Sequence, residues 1–228
     1  MLLLALLLLS PQKPVDGFQA RTYKTMPYRL FVPPDYDKSH PYPLILWLHG
    51  AGSVGGDNFK QISGASLRGT HTWTAPQVQA KHPAFVLAPQ SRIGSWTMDF
   101  PLVLELLNSV ESEFNIDAAR IYVAGQSLGG FGTWYFITTR PDLFAAAIPL
   151  CGGGNSSRAS VITHIPIWAF HGESDPTVPV TESRKMIAAI RQAGGDPRYT
   201  EYRGVGHDVW FRAFQEPGLV EWLFSQHK

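Results

Sequence analysis

Short apolar runs that end in glycine or a turn alternate along this chain with longer stretches of helical periodicity. Between the runs, apolar side chains recur at three- and four-residue steps, as in Phe100, Leu104 and Leu107. This is the spacing of one face of an α-helix. Alternation of this kind predicts an α/β fold, in which a mostly parallel central sheet carries helices on both faces. The apolar runs occupy residues 44–48, 85–87, 121–124, 145–150, 165–170 and 199–202, and residues 28–32 are expected to add an antiparallel edge strand.

The charge balance argues against nucleic acid as a partner. The 228 residues include 19 Lys and Arg against 18 Asp and Glu, which gives a formal net charge of +1. Domains that bind nucleic acid usually carry a basic face or an isoelectric point above about 9. We find no internal repeat and no low-complexity linker, so residues 21–228 are predicted to form a single domain.

The first ten residues, MLLLALLLLS, are expected to belong to an export signal. Residues 2–9 are all apolar, which is too few for the roughly 20 residues of a membrane-spanning helix but within the roughly 7 to 15 of a secretory signal. Residues 1–20 are therefore predicted to be a signal or leader segment of a secreted or periplasmic protein with no stable membrane span. No Lys or Arg precedes the leucines and no A-x-A-like site follows them, so a stray hydrophobic N-terminal helix is the alternative.

A serine stands between glycines directly after a predicted strand, in the stretch GQSLG at residues 125–129. This stretch fits the pattern G-x-S-x-G and has the required context, a strand before it and a helical stretch after it. In such a turn the strained backbone projects the hydroxyl of Ser127 above the sheet, while the small flanking residues let neighbouring backbone pass close by. A glycine-rich turn that binds phosphate at the helix N-terminus is the alternative.

A serine nucleophile needs a base, and that base needs a carboxylate to orient it. Asp175 and His207 each lie in a loop after a later predicted strand. Because the carboxyl ends of parallel strands meet at one edge of a sheet, we expect Ser127, Asp175 and His207 to come together there. Glu173 and Asp208 are the rival carboxylates, but Glu173 falls closer to its strand end and Asp208 adjoins the histidine.

Neither a metal nor another cofactor is expected at this site. The remaining histidines form no metal-binding spacing, and neither an H-E-x-x-H motif nor a Cys/His cluster occurs. His49 and His171 each end a predicted strand as a His-Gly pair, where an imidazole more often braces a turn than performs chemistry. The backbone N–H groups of Leu128 and Ala51 are expected to stabilise the oxyanion, one after the serine and the other in the glycine-rich loop after residues 44–48.

The motifs LHGAG, GQSLGG, HGESDPTVP and GVGHDVW together resemble those of an α/β-hydrolase serine esterase. The stretch FGTWYFITTRPDLFAAAIPLCGGG is similar to that of compact secreted carbohydrate esterases of family one and of polyhydroxybutyrate-depolymerase-like esterases, a group loosely labelled predicted peptidases. The dienelactone-hydrolase branch carries a cysteine nucleophile, whereas Ser127 stands here. Cys151 is therefore expected to be a small buried residue.

The predicted site is an open cleft. Only 14 residues, 151–164, separate two of the predicted strands at the place where many relatives insert a lid domain. An open cleft suits an ester carried by a small molecule or a polymer better than a lipid that must be enclosed. Trp96 and Trp210 are predicted to line it.

The predicted activity is hydrolysis of short acyl or aryl esters, including feruloyl or acetyl groups on plant polysaccharide, through an acyl-enzyme. A serine peptidase of the prolyl-oligopeptidase-like group and a non-enzymatic ligand-binding α/β-hydrolase are the alternatives. The intact triad argues against the ligand-binding protein. The absence of a gating domain argues against the peptidase. The sequence leaves the oligomeric state open.

Overall fold

The computed structural model describes residues 16–228 and contains an eight-stranded mixed sheet with helices on both faces. The strand order is β1-β2-β4-β3-β5-β6-β7-β8, with β1 and β2 antiparallel to their neighbours and the others parallel. The predicted α/β architecture is confirmed. The strands are β1 (Phe18–Tyr23), β2 (Met26–Phe31), β3 (Tyr42–Leu48), β4 (Phe85–Pro89), β5 (Ile116–Gln126), β6 (Ala146–Leu150), β7 (Trp168–Gly172) and β8 (Arg198–Tyr202).

Seven α-helices occur in the described part of the chain, together with short 3₁₀ turns. The helices are α1 (Leu67–Thr74), α2 (Pro76–Gln79), α3 (Trp96–Glu113), α4 (Leu128–Thr139), α5 (Thr181–Gln192), α6 (Trp210–Ala213) and α7 (Leu219–Phe224). The 3₁₀ turns are Ala51–Ser53, Lys60–Ile62, Gly64–Ser66 and Ser156–Ile162. Between residues 16 and 228, no helix combines the length and the apolar character that crossing a membrane requires.

The sheet is buried on both faces, which explains why its central strands read as continuous apolar runs. Along β3, Leu44 and Leu46 pack into the core on one face, and Ile45 and Trp47 pack into the core on the other. Side chains of α3, α4 and α5 cover the first face, and those of α1, α6 and α7 cover the second.

The antiparallel edge differs from its prediction. β2 occupies most of the segment expected at the edge, but β1 pairs with it and takes the outer position. The predicted leader, residues 1–20, lies mostly outside the described residues, and its last three residues, 18–20, belong to β1. The fold therefore includes residues before the boundary expected at position 21.

The carboxyl ends of the parallel strands meet at one edge of the sheet. Leu48 pairs with Gly125, Gln126 pairs with Leu150, and Gly172 pairs with Tyr202. The loops that follow these strands are therefore brought together, which is where open α/β sheets place their ligand sites.

Candidate active site

Ser127 occupies a strained turn between β5 and α4. Its φ of 54° and ψ of −117° lie outside the regions that residues with a side chain usually adopt. Such a conformation costs of the order of 1–3 kcal/mol and persists only where its surroundings enforce it. Here the backbone N–H of Ser127 donates to the carbonyl of Leu150 at 2.9 Å, and its carbonyl accepts from Phe131 N–H at 3.0 Å.

Two glycines allow this turn to pack tightly against its neighbours. A Cβ at Gly129 would lie 1.8 Å from the carbonyl oxygen of Leu48, and one at Gly125 would lie 2.3 Å from the carbonyl oxygen of Gly129. Side chains at either position are therefore excluded unless the backbone moves. The first turn of α4 consequently packs directly on the end of β3.

The structure brings Ser127, His207 and Asp175 into one hydrogen-bonded chain. The Nε2 atom of His207 lies 2.8 Å from the Oγ atom of Ser127, and its Nδ1 atom lies 2.7 Å from Oδ2 of Asp175. A carboxylate accepts hydrogen bonds, so Nδ1 carries the proton and Nε2 is free to accept the serine proton. The side chain of Asp175 is fully buried, whereas that of His207 is 21% exposed.

The surroundings of Asp175 keep its carboxyl group ionised. Burial, the largest single influence, would raise the pKa of Asp175, but hydrogen bonds from His207 and from the backbone N–H groups of Val178 and Thr177 outweigh it. The pKa therefore lies below its ordinary value. The two backbone bonds go to Oδ1, at 2.9 and 2.8 Å, which leaves Oδ2 for the imidazole.

The two rival carboxylates lie elsewhere. Glu173 is exposed and its Oε2 atom accepts from the backbone N–H of Gly204 at 3.1 Å. Asp208 is exposed beside His207. The loop after β7 thus directs Asp175 inward and Glu173 outward, although both follow the same strand.

His171 braces the loop that carries Asp175, as its position at the end of β7 predicts. Its Nδ1 atom lies 2.7 Å from the hydroxyl of Ser183, and its Nε2 atom lies 3.0 Å from the carbonyl oxygen of Val178. The same nitrogen is 3.4 Å from Oδ2 of Asp175. Burial lowers the pKa of this imidazole, which favours its neutral form in this position.

The residues expected to form the oxyanion hole both begin a helical turn. Ala51 opens the 3₁₀ turn after β3, and Leu128 opens α4. The first N–H groups of a helical segment have no acceptor within that segment. The loop lies close to the serine, because a Cβ at Gly50 would be 3.5 Å from the backbone oxygen of Gln126.

The prediction that Trp96 lines the cleft is wrong. Trp96 is 2% exposed, and its Nε1 donates to the carbonyl oxygen of His49 at 3.0 Å. The first turn of α3 directs this indole into the core, which the linear sequence did not reveal. Trp210 is 7% exposed and lies behind His207, with the ring centroids 5.6 Å apart in an edge-to-face arrangement. It supports the imidazole and presents almost no surface.

Other apolar side chains are exposed in the elements around the serine. Phe131 is 39% exposed and lies in the first turn of α4, the helix that follows Ser127. Ile93 and Met98 are exposed in and after the loop from β4 to α3. The position of Phe131 in the first helical turn after the serine is the sequence signal that identifies it.

Cys151 is buried, as expected, in the turn after β6. Its thiol lies within 4.8 Å of ligand atoms of Asp175 and His207. Burial raises the pKa of the thiol, which keeps it protonated and weakly nucleophilic at neutral pH. The direct 2.7 Å contact between His207 and Asp175 leaves no space for an ion between them.

Comparison with known proteins shows which sequences and solved structures this chain resembles. The model of the family described as "Putative esterase" matches residues 20–216. The "Probable feruloyl esterase C" of Aspergillus niger is 29% identical over 81% of this chain and 68% of its own length. The "Feruloyl esterase C" of Emericella nidulans is 26% identical over 82% of this chain and 74% of its own length. An "Uncharacterized secreted protein" of Arthroderma benhamiae is 25% identical over 83% of this chain and 24% of its own length.

A solved structure described as a thermostable esterase superimposes over 93% of this chain with a TM-score of 0.89 and 41% identity. The chain spans 64% of that protein. The feruloyl esterase module from Clostridium thermocellum, 17% identical with a TM-score of 0.64 over 87% of this chain and 85% of its own, shares the fold.

Proposed function

The chain belongs to the family described as "Putative esterase", a family of carboxylic ester hydrolases, and we propose that it cleaves short acyl and aryl esters. In this proposal Ser127 is the nucleophile, His207 is the general base and Asp175 is the orienting carboxylate. The observation that carries this proposal is the continuous chain of hydrogen bonds from Ser127 Oγ through the imidazole to the buried carboxylate, at 2.8 and 2.7 Å. A weak hydroxyl nucleophile becomes reactive when a positioned base accepts its proton.

In the proposed reaction, Ser127 Oγ attacks the ester carbonyl while its proton passes to Nε2 of His207. Asp175 holds the resulting imidazolium through Nδ1–H, and the imidazolium then protonates the leaving alkoxide or phenoxide as the C–O bond breaks. Water attacks the acyl-enzyme with the same base and returns Ser127 to its free form. The N–H groups of Leu128 and Ala51 are the proposed donors to the negatively charged oxygen.

The proposed substrates are esters that bind in an open cleft, including feruloyl or acetyl groups on plant polysaccharide. The connection from β6 to β7 is short, and its 3₁₀ turn Ser156–Ile162 buries Ala159 and Ile162 in the core. It therefore supplies no cover over the serine. Exposed Phe131, in the first turn of α4 after Ser127, offers an apolar surface that suits an aryl group, and two of the three curated relatives reported above are described as feruloyl esterases.

We also propose that the protein is exported. The apolar segment at residues 2–9 supports this, and one relative is described as secreted. The intact mass of protein recovered outside producing cells tests whether the segment is removed.

A comparison of three substrates tests the proposed activity. We expect turnover of p-nitrophenyl acetate and methyl ferulate, and far slower turnover of a peptide p-nitroanilide, because amides are harder to cleave than esters. Protein inactivated with a fluorophosphonate is the matched blank. Comparable kcat/KM values for the anilide and the esters would favour a peptidase. Failure to turn over any of the three would favour a ligand-binding protein.

The open cleft predicts a preference for short acyl chains. We expect kcat/KM to be highest from acetyl to butyryl, with no increase in rate when the substrate forms micelles. A deep acyl groove would contribute about 0.8 kcal/mol for each buried methylene, roughly fourfold in kcat/KM. The measurement is kcat/KM for p-nitrophenyl esters of increasing length, below and above micelle formation. A maximum at long chains with a jump at the micelle threshold would contradict the open cleft.

A further inference from the structure

The side chain of His49 is held in one tautomer by its surroundings. The backbone N–H of Ser91 donates to its Nε2 atom at 3.0 Å. A backbone N–H can only donate, so Nε2 is the unprotonated acceptor, and the proton of the neutral ring sits on Nδ1. That atom lies 2.8 Å from the carbonyl oxygen of Gly50. Burial lowers the pKa of His49 to about 4, against the opposing effects of Gly50 and Asp57, so the ring is neutral at neutral pH.

The bond from His49 to Gly50 fixes the orientation of a whole peptide unit. The carbonyl of Gly50 and the N–H of Ala51 belong to one planar trans peptide and point in opposite directions. The carbonyl points toward His49, which is fully buried, whereas Ala51 is exposed. The N–H of Ala51 therefore points away from the buried ring of His49.

Further contacts connect this loop to the protein scaffold. The indole Nε1 of Trp96 donates to the carbonyl of His49 at 3.0 Å, and its ring packs edge-on against the imidazole with 4.9 Å between centroids. The N–H of Ser53 also donates to the carbonyl of Gly50, at 3.1 Å, but it belongs to the 3₁₀ turn and moves with it. His49 is the side chain that ties the Gly50 carbonyl to β4 and α3, through Ser91 and Trp96.

We propose that His49 is a positioning residue that aims the N–H of Ala51 at the developing oxyanion by holding the carbonyl of Gly50. This inference rests on the proposed function, and in particular on Ala51 as an oxyanion donor. A donor that is rotated away stabilises the transition state less but leaves ground-state binding of the ester largely unchanged. Loss of His49 should therefore appear in kcat and not in KM.

Two substitutions separate this role from simple packing. His49→Phe keeps an aromatic ring but has no hydrogen-bonding group. His49→Asn leaves more empty space, yet its amide nitrogen falls near the position of Nδ1 and can still donate to Gly50. Since packing would rank Phe above Asn and positioning would rank Asn above Phe, the order of their kcat values discriminates the two.

We expect His49→Phe to lower kcat for p-nitrophenyl acetate about 10²-fold, comparable to the loss of one oxyanion donor, and to change KM by less than about threefold. The kcat of His49→Asn should be at least about tenfold higher than that of His49→Phe. Affinity for a trifluoromethyl ketone, which forms a tetrahedral adduct with the serine, should fall in parallel with kcat. Gln79→Leu is the matched control, because it also removes a buried polar side chain. Gln79 donates to the carbonyls of Trp73 and Ala84 at the amino end of β4, whereas the candidate site lies at the carboxyl ends of the strands.

A kcat for His49→Phe within about threefold of the unmodified protein would overturn the proposal. An Asn variant no faster than the Phe variant, or an unchanged ketone affinity, would overturn it as well. If His49→Phe does not fold, His49→Gln replaces it, since its longer side chain extends toward Ser91 and away from Gly50. The unmodified protein reports separately on the proposed function: if it hydrolyses esters while the His49 variants match it, only the positioning role fails.

Discussion

Replacement of Ser127 with alanine is expected to reduce kcat for p-nitrophenyl acetate by about 10⁶-fold, the scale found when a triad nucleophile is removed. The reason is that the hydrogen-bonded imidazole then has no hydroxyl to activate, and no acyl-enzyme can form. Covalent labelling by a fluorophosphonate should disappear with the activity. The measurement combines the hydrolysis rate with intact mass after labelling.

The matched control is Ser174→Ala, at an exposed serine next to Asp175 in the same loop. It should leave both labelling and hydrolysis close to those of the unmodified chain. Because alanine and serine differ only by the hydroxyl and both have a Cβ at the strained φ of 54°, the unfolding temperature of Ser127→Ala should remain similar. Labelling that persists at another serine, together with retained esterase activity, would reject Ser127 as the nucleophile.

The sequence predicts the central strands well because both faces of a parallel sheet are buried. β3 and β6 are buried at every position and appear in the sequence as unbroken apolar runs. β1 was missed for the opposite physical reason. Its sequence, FQARTY, is partly exposed along most of its length and carries no apolar run, so its existence depends on pairing with β2.

The candidate site shows the same division between local and long-range information. Ser127, Asp175 and His207 could be chosen because each lies in the turn or loop after a strand, and parallel strands bring their ends together. The environment of Trp96 could not be predicted, because it depends on which side of the first turn of α3 faces His49, 47 positions earlier in the chain. The contact between Ser91 and His49 spans 42 positions and has no signature in either local sequence.

Asp175→Asn is expected to lower kcat by about 10⁴-fold, the loss typical of a triad carboxylate converted to its amide. The carboxylate of Asp175 accepts a hydrogen bond from Nδ1–H of His207 at 2.7 Å. The depressed pKa of Asp175 keeps its carboxyl group charged at neutral pH. An amide of the same size carries no charge to stabilise the imidazolium and can present an N–H that favours the wrong tautomer. The measurement is kcat for p-nitrophenyl acetate at neutral pH.

Asp208→Asn provides the control, since it makes the same chemical change on an exposed side chain adjacent to His207. It should change kcat by less than about threefold, because a solvent-exposed charge is screened and Asp208 makes no contact with Nδ1 that could fix the tautomer.

The depressed pKa of Asp175 also means that its ionisation favours the folded state above the pKa that this carboxyl group has in the unfolded chain. This contribution is lost as the pH falls through the folded pKa, and the Asn variant should lack it. If Asp208→Asn proved the more damaging change while Asp175→Asn remained active, the orienting carboxylate would be Asp208, and the hydrogen bond between His207 and Asp175 would have only a structural role.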